Sequence, residues 1–336
     1  ALGSAFGGSG NAMNNYSSKA FDKLLANREI IAQRIESKYS GLKYPDVGFI
    51  HDKGLGGMPY NPGTGNVNGV NRNSADVLIP AFLAAYTGKD PKKVGLTAFP
   101  SLKSMLPNWR VTYDGLIKIP AVKKYFKSLT LSHQYRCSYS VGAFTSFLNW
   151  VDAGQDGLGY IQSILNDNPT PSSPYSISSV SLTEAFSPLL GADATLLTVR
   201  ADYSTTRNLS LNTTSYQLVE ALSKKVTIGL GYKYAEFNKV LKMKKTRDFS
   251  NDLTVRLDFS FNKMQSLIRK IDTQLTQATS GNIAKTISFS ADYGLSRALT
   301  VRAFYDIQIN EPLISSASYP TSNSNYGISL RFSLAQ

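Results

Sequence analysis

The dominant pattern in the chain is a strict alternation of apolar and polar positions, clearest over residues 285–336. Ile287, Phe289, Ala291, Tyr293 and Leu295 alternate with Ser288, Ser290, Asp292 and Gly294. Leu299, Val301, Ala303, Tyr305, Ile307 and Ile309 alternate with Thr300, Arg302, Phe304, Asp306 and Gln308. Tyr326, Ile328, Leu330, Phe332 and Leu334 alternate with Gly327, Ser329, Arg331 and Ser333. A period of two with one apolar face predicts strands at Thr286–Leu295, Leu299–Ile309 and Tyr326–Leu334. At about ten residues, each is long enough to cross a bilayer when tilted. The pattern recurs at Trp109–Ile119, Ser128–Val141, Ser176–Phe186, Thr195–Tyr203, Leu209–Leu218, Val226–Tyr234, Leu253–Phe261 and Gln265–Leu275, about eleven strands in all. The expected fold is all-β: transmembrane antiparallel β-barrel strands over residues 109–336.

Residues 1–108 do not read as barrel wall. Ala1–Asn15 is a Gly/Ser/Asn-rich lead-in, and Tyr44–Ser74 is rich in Gly, Asn and Pro. Between them Leu24, Leu25, Ile30, Ile31 and Ile35 fall near helical spacing, with Ser17 or Ser18 as N-cap. Asp76–Gly88 is a short apolar helix with Gly88 as its stop, too short to span a bilayer. The expectation is a loop-rich extension with short helices, packed in the lumen or at the extracellular mouth.

Counting sides backward from a last strand that runs toward the periplasm, turns fall near Ser296–Arg297, Asn262–Met264, Ser223–Lys225, Ser187–Ala194 and Pro120–Phe126. Outer loops then fall at Asn310–Asn325, Thr276–Asn282, Ala235–Asn251, Thr205–Asn208 and Val151–Tyr175. Most of these outer loops are longer than the turns, which is the habit of outer-membrane barrels. This count places the basic cluster Lys239, Lys242, Lys244, Lys245 and Arg247 outside, among lipopolysaccharide headgroups. Arg136, Arg200, Asp202, Arg256, Asp258, Asp292, Arg302, Asp306 and Arg331 share the phase opposite the Leu, Val and Ile positions. A charge facing lipid at mid-depth costs a few kcal/mol, so these residues are expected to face a wet lumen. Tyr203, Tyr234, Phe261, Tyr293 and Tyr326 lie near predicted strand ends, where an aromatic girdle belongs.

Composition changes this picture little. A net charge of +13 sits on a chain that is only 18% charged, with 19 Tyr and 16 Phe against 2 Trp. The basic residues are spread along the chain, which argues against nucleic acid as a partner. No apolar run is long enough for a transmembrane helix. The opening ALGSAFGGSG has neither a starting Met nor a signal-peptide pattern, so the chain reads as a piece of a longer one. The single cysteine, Cys137, cannot form an internal disulfide. With two histidines, His51 and His133, no nucleophile triad, paired-His metal motif or phosphate loop is legible. Neither an enzyme nor a cofactor is expected.

Specific strings go further. LIPAFLAAYTGKD (Leu78–Asp90), Pro107–Trp109, LSHQYRCSY (Leu131–Tyr139) and the ending IRKIDTQLTQATSG… TISFSADYGLSRALTVRAFYD… SYPTSNSNYGISLRFSLAQ resemble the C-terminal part of the SprA/Sov proteins. The likeness runs over most of residues 20–336. That family comprises the outer-membrane translocons of the type 9 secretion system of Bacteroidetes. The resemblance implies that this chain is the C-terminal arc of a very large barrel of 36 strands. It also implies export of folded cargo proteins, gliding adhesins among them. The partners it implies are the remainder of the barrel, a PorV-like shuttle barrel, a periplasmic plug protein and membrane lipid. The family's chains are several times longer than this one. Two other readings stand beside it: a stand-alone small outer-membrane channel or adhesin barrel, and an outer-membrane hydrolase.

Overall fold

Strands make up 52% of the protein. The computed structural model describes residues 10, 14–63, 65–99, 108–155, 157–195, 198–240, 251–296, 298–314 and 319–333. The principal sheet is antiparallel and nine-stranded, in the order β1-β2-β8-β9-β10-β11-β12-β13-β14, and it is open. Its strands are β1 (Trp109–Tyr113), β2 (Ser128–Val141), β8 (Ser179–Thr195), β9 (Thr198–Asn212), β10 (Gln217–Tyr234), β11 (Leu253–Lys270), β12 (Thr276–Gly294), β13 (Leu299–Pro312) and β14 (Thr321–Phe332). A chain excursion between β2 and β8 makes two small sheets. One pairs β3 (Phe144–Ser146) with β7 (Tyr175–Ile177); the other joins β4 (Val151–Gln155), β5 (Leu158–Gln162) and β6 (Pro169–Ser172).

The strands are longer and fewer than the alternation suggested. Thr205–Asn208, Ser223–Lys225, Asn262–Met264 and Thr276–Asn282, read from the sequence as turns or loops, all lie inside strands with continuous ladder pairing or a single bulge. Ser187–Ala194 also lies within β8, where the register slips between Phe186 and Leu190. Polar side chains on both faces mimic a turn, but the backbone ladder does not depend on side-chain polarity. In the other direction, the predicted strand Trp109–Ile119 stops at Tyr113. A 3₁₀ turn, Gly115–Lys118, and a short helix α4 (Pro120–Lys123) follow.

These corrections reassign the ends of the sheet. One end, the helical end, carries the excursion 142–178 and the connections 213–216, 271–275 and 313–320. The other end carries 114–127, 196–197, 235–252 and 295–298. Long and short connections occur at both ends, so the expected division by loop length does not hold. The connection 235–252 lies at the same end as 295–298, because Leu253 pairs with Tyr293 and Asn251 Nδ2 donates to the carbonyls of Gly294 and Leu295. The sequence had put these two connections on opposite sides.

The helices form as their spacing requires. In α1 (Lys19–Tyr39), Phe21, Leu24, Ile31, Ile35 and Tyr39 bury one stripe, and Ser18 caps the N-terminus by accepting from the Phe21 amide. After the short α2 (Gly48–Asp52), α3 (Ala75–Thr87) is buried on every side from Val77 to Tyr86 and ends at Gly88 with φ +72°. An all-round apolar helix of this kind belongs inside a core. Here the core joins α1 and α3 to the excursion, to Val180, Leu182, Leu209, Leu211 and Leu218 of the sheet, and to Ile271 just past β11. Tyr39, Tyr44, Tyr60 and Tyr160 cluster at its centre, with ring centroids 5.0–6.2 Å apart. The Tyr39 hydroxyl donates to the Gly159 carbonyl at 2.7 Å and accepts from the Gly159 amide at 3.1 Å, which ties α1 to β5.

Candidate functional surface: a two-faced sheet

Residues directly opposed across antiparallel strands share a face. Pairing therefore gathers apolar residues into rows that run across the sheet. One row is Val199, Leu230, Leu257, Phe289, Tyr305 and Tyr326; the next is Ala201, Ile228, Phe259, Ile287 and Ile307. Tyr232, Val255, Ala291, Ala303 and Ile328, and then Tyr234, Leu253, Tyr293, Val301 and Leu330, complete a belt. Much of it is exposed: Tyr326, Ile328, Leu330 and Phe332 each show 67–75% of their surface. On β10 and β11 the belt is about nine residues tall, the span of a tilted transmembrane strand.

The reverse face is polar. Register places Arg200, Asp202, Arg256, Asp258, Asp292, Arg302, Asp306 and Arg331 together on it, and Arg136 on the same face of β2. Arg200 Nε pairs with Asp202 at 2.6 Å, and Arg302 Nε lies 3.8 Å from Asp292. Ser204, Thr206, Ser223, Lys225 and Thr227 line a shallow polar hollow beside Arg200 and Asp202. Among the described residues no cluster of three His, Cys, Asp or Glu could hold a metal ion.

The aromatic residues sit at the margins of the belt more than at strand ends. Tyr234 and Tyr293 are bridged by Phe237, at 5.6 and 6.0 Å between ring centroids, at the end away from the helices. Tyr203 and Phe261 are mid-strand, yet each is the last apolar residue before Thr205 and Lys263 on its face. Tyr326 is likewise the first apolar belt residue of β14, beyond Ser322 and Ser324. Of the basic cluster, Lys239 closes a 3₁₀ turn and pairs with Glu236; Lys242, Lys244, Lys245 and Arg247 lie outside the described residues. Its connection joins the end of the sheet opposite the helices, which removes the reason for placing it outside the cell.

On the helical side the belt gives way to Lys224, Lys263 and the pair Lys285–Glu311, at 2.7 Å. Beyond them, on the same face, lie two buried ion pairs that sequence reasoning missed: Arg207 with Glu184, and Arg269 with Glu220 at 2.9 Å. Arg207 lies over the Tyr86 ring and Arg269 over the Phe21 ring, each at 5.5 Å. The helical unit thus packs on the belt face, past the belt's edge. It is not on the polar face that the sequence assigned to a lumen. Arg and Glu opposed within a strand pattern would have been the signal, had the strands not been cut between them.

A cavity of about 340 Å³ lies between α1, α3 and β5–β7, lined by Tyr39, Val70, Asp76, Leu158, Ser172 and Ile177 among others. Asp76 accepts from the Ser173 amide at 2.9 Å, and burial holds its carboxyl above the usual carboxylate range despite that bond. A raised folded-state pKa means stability is greatest below the unfolded value near 4 and is lost as pH rises through the folded value. Asp76→Asn is therefore expected to melt higher than the parent at pH 7. That advantage should shrink as pH falls through the Asp76 pKa, read by melting curves at pH 4 and 7. Equal melting at both pH values would count against it.

The chain matches no protein-family model and no curated protein.

Proposed function

We propose that this chain is a section of the wall of an outer-membrane β-barrel: the C-terminal arc of a type 9 secretion translocon of the SprA/Sov kind. In this reading it lines a wide aqueous pore through which folded cargo, gliding adhesins included, leaves the cell. The observation that carries the membrane part is the uncharged apolar belt, about nine residues tall on β10 and β11, with rows that run on from β9 to β14. The resemblance carries the choice of translocon. The open sheet supports an arc: closing nine strands would give a barrel whose interior side chains fill, with no path for a folded protein. The mixed Ser, Thr, Arg and Asp lining suits passage of cargo without tight binding. With the last strand running toward the periplasm, the helical unit stands outside the cell and the connection 235–252 faces the periplasm. The edges β1 and β14 then pair with the remainder of the barrel, and a PorV-like barrel and a periplasmic plug complete the assembly.

The test is native mass together with disulfide trapping. In a Cys137→Ser background, Val111→Cys on β1 and Ile328→Cys on β14 are expected to give no bond within one chain. The unmodified protein is expected in an outer-membrane complex far heavier than 36.7 kDa. A free 36.7 kDa species that traps this disulfide and conducts ions alone would establish the small stand-alone barrel instead.

A further inference from the structure

The segment between β1 and β2 lies at the end of the sheet opposite the helices and takes no part in the principal sheet. It reads Asp114-Gly-Leu-Ile-Lys-Ile-Pro-Ala-Val-Lys-Lys-Tyr-Phe-Lys127. Its 3₁₀ turn packs back on Tyr113, the last residue of β1, which pairs with Leu131: a Cβ added at Gly115 would come within 2.6 Å of the Tyr113 hydroxyl. Val111, Tyr113, Ile119 and Tyr125 are each about half exposed, so exposed apolar surface continues from β1 into the segment. Lys118, Lys123, Lys124 and Lys127 are all exposed, and none makes an ion pair among the described residues. Asp114 is the one carboxylate between Tyr113 and Lys127. Lys124 Nζ lies 5.5 Å from the centre of the Tyr125 ring, which holds its charge beside an aromatic plane. Farther across the sheet, Tyr232 and Tyr234 of β10, Phe237 just after it and Tyr293 of β12 form an aromatic margin at the same end.

We propose that residues 116–127 form an interfacial anchor that binds anionic phospholipid headgroups at this end of the belt. Ile119, Val122 and Tyr125 enter the headgroup–acyl boundary, and the four lysines engage lipid phosphates. Amphipathic segments of this composition lie in the interfacial plane, and each lysine near an anionic surface adds attraction that salt screens. The charge complement selects phosphatidylglycerol or cardiolipin over a zwitterionic lipid. The inference rests on the membrane reading above, since the acyl chains must be supplied by the bilayer around the belt. It adds a headgroup preference that the belt alone does not require.

Spin-labelled lipids separate the two. The full chain is reconstituted in phosphatidylcholine vesicles, and the motionally restricted fraction of trace spin-labelled phosphatidylglycerol is compared with that of spin-labelled phosphatidylcholine. A restricted fraction is expected for both lipids, with phosphatidylglycerol preferred about threefold or more at low salt and the preference lost in high salt. The variant Lys118→Gln/Lys123→Gln/Lys124→Gln/Lys127→Gln is expected to keep the restricted phosphatidylcholine fraction and lose the preference. Equal association of the two lipids with the parent, or a preference that survives in the variant, overturns the anchor and leaves the belt standing. No restricted fraction with either lipid overturns the belt reading and the anchor with it.

Discussion

Replacing Glu220 with alanine is expected to cost about 3–5 kcal/mol and to loosen the helical unit from the sheet. Glu220 Oε2 accepts from Arg269 Nε at 2.9 Å, and both side chains are buried. The same guanidinium donates to the Tyr16 carbonyl at 2.7 Å and to Thr276 Oγ1 at 3.2 Å, beneath the Phe21 ring. Removing the carboxylate strands a cation in a place water does not reach, and this sets the size of the loss. The pair is worth much less than its breakage. Glu220→Leu combined with Arg269→Met should therefore recover most of the stability, since an apolar pair of similar volume avoids desolvating two ions. Melting of the full chain, with limited proteolysis across residues 14–99, reads both effects. A single variant that melts with the parent, or a double variant that melts below the single, would contradict this account. Glu184 is expected to behave likewise. It holds Arg207, accepts from the Tyr135 hydroxyl at 3.2 Å and is equally buried.

The second large effect is positional. Leu257→Arg places a guanidinium in the middle of the belt, between Leu230 and Phe289, and should destabilise the inserted protein by about 2–4 kcal/mol. Ser260→Arg lies on the same strand but on the reverse face, among Asp202, Asp258 and the polar hollow, and should change stability by less than about 1 kcal/mol. Denaturant unfolding from vesicles compares the two. Equal losses would mean that both faces meet the same environment, which neither a lumen nor a bilayer on one side allows.

Much of this two-faced character was legible in the chain. The alternation from Ile287 to Phe332 assigns each side chain to its face, and pairing places Arg256, Asp258, Asp292 and Arg302 together as the phase required. Leu24, Ile31 and Ile35 announced α1, and the uninterrupted apolar run before Gly88 announced a buried helix. What failed was the reading of where strands stop. Around Thr205, Lys224 and Lys263 a strand leaves the apolar belt before it reaches the core under the helices, so its side chains turn polar while its backbone pairing continues. Periodicity senses environment rather than hydrogen bonding, and it divided one strand into two. Each false turn reversed the sides of the connections before it, which set the connection after Tyr234 on the side opposite 295–298. The buried Arg–Glu pairs were hidden for the same reason: their registers exist only once the strands are continuous.

The unbroken ladder between β10 and β11, paired from Gln217–Lys270 to Tyr234–Leu253, has a mechanical meaning. A tug on the helical unit along these strands loads many interstrand hydrogen bonds in parallel, as shear. No hinge separates the part that grips the helices from the part that carries the belt. The strands act as stiff girders: force or torque received at one end of the sheet is delivered to the other without a compliant joint, and the unit and the wall must tilt as one body.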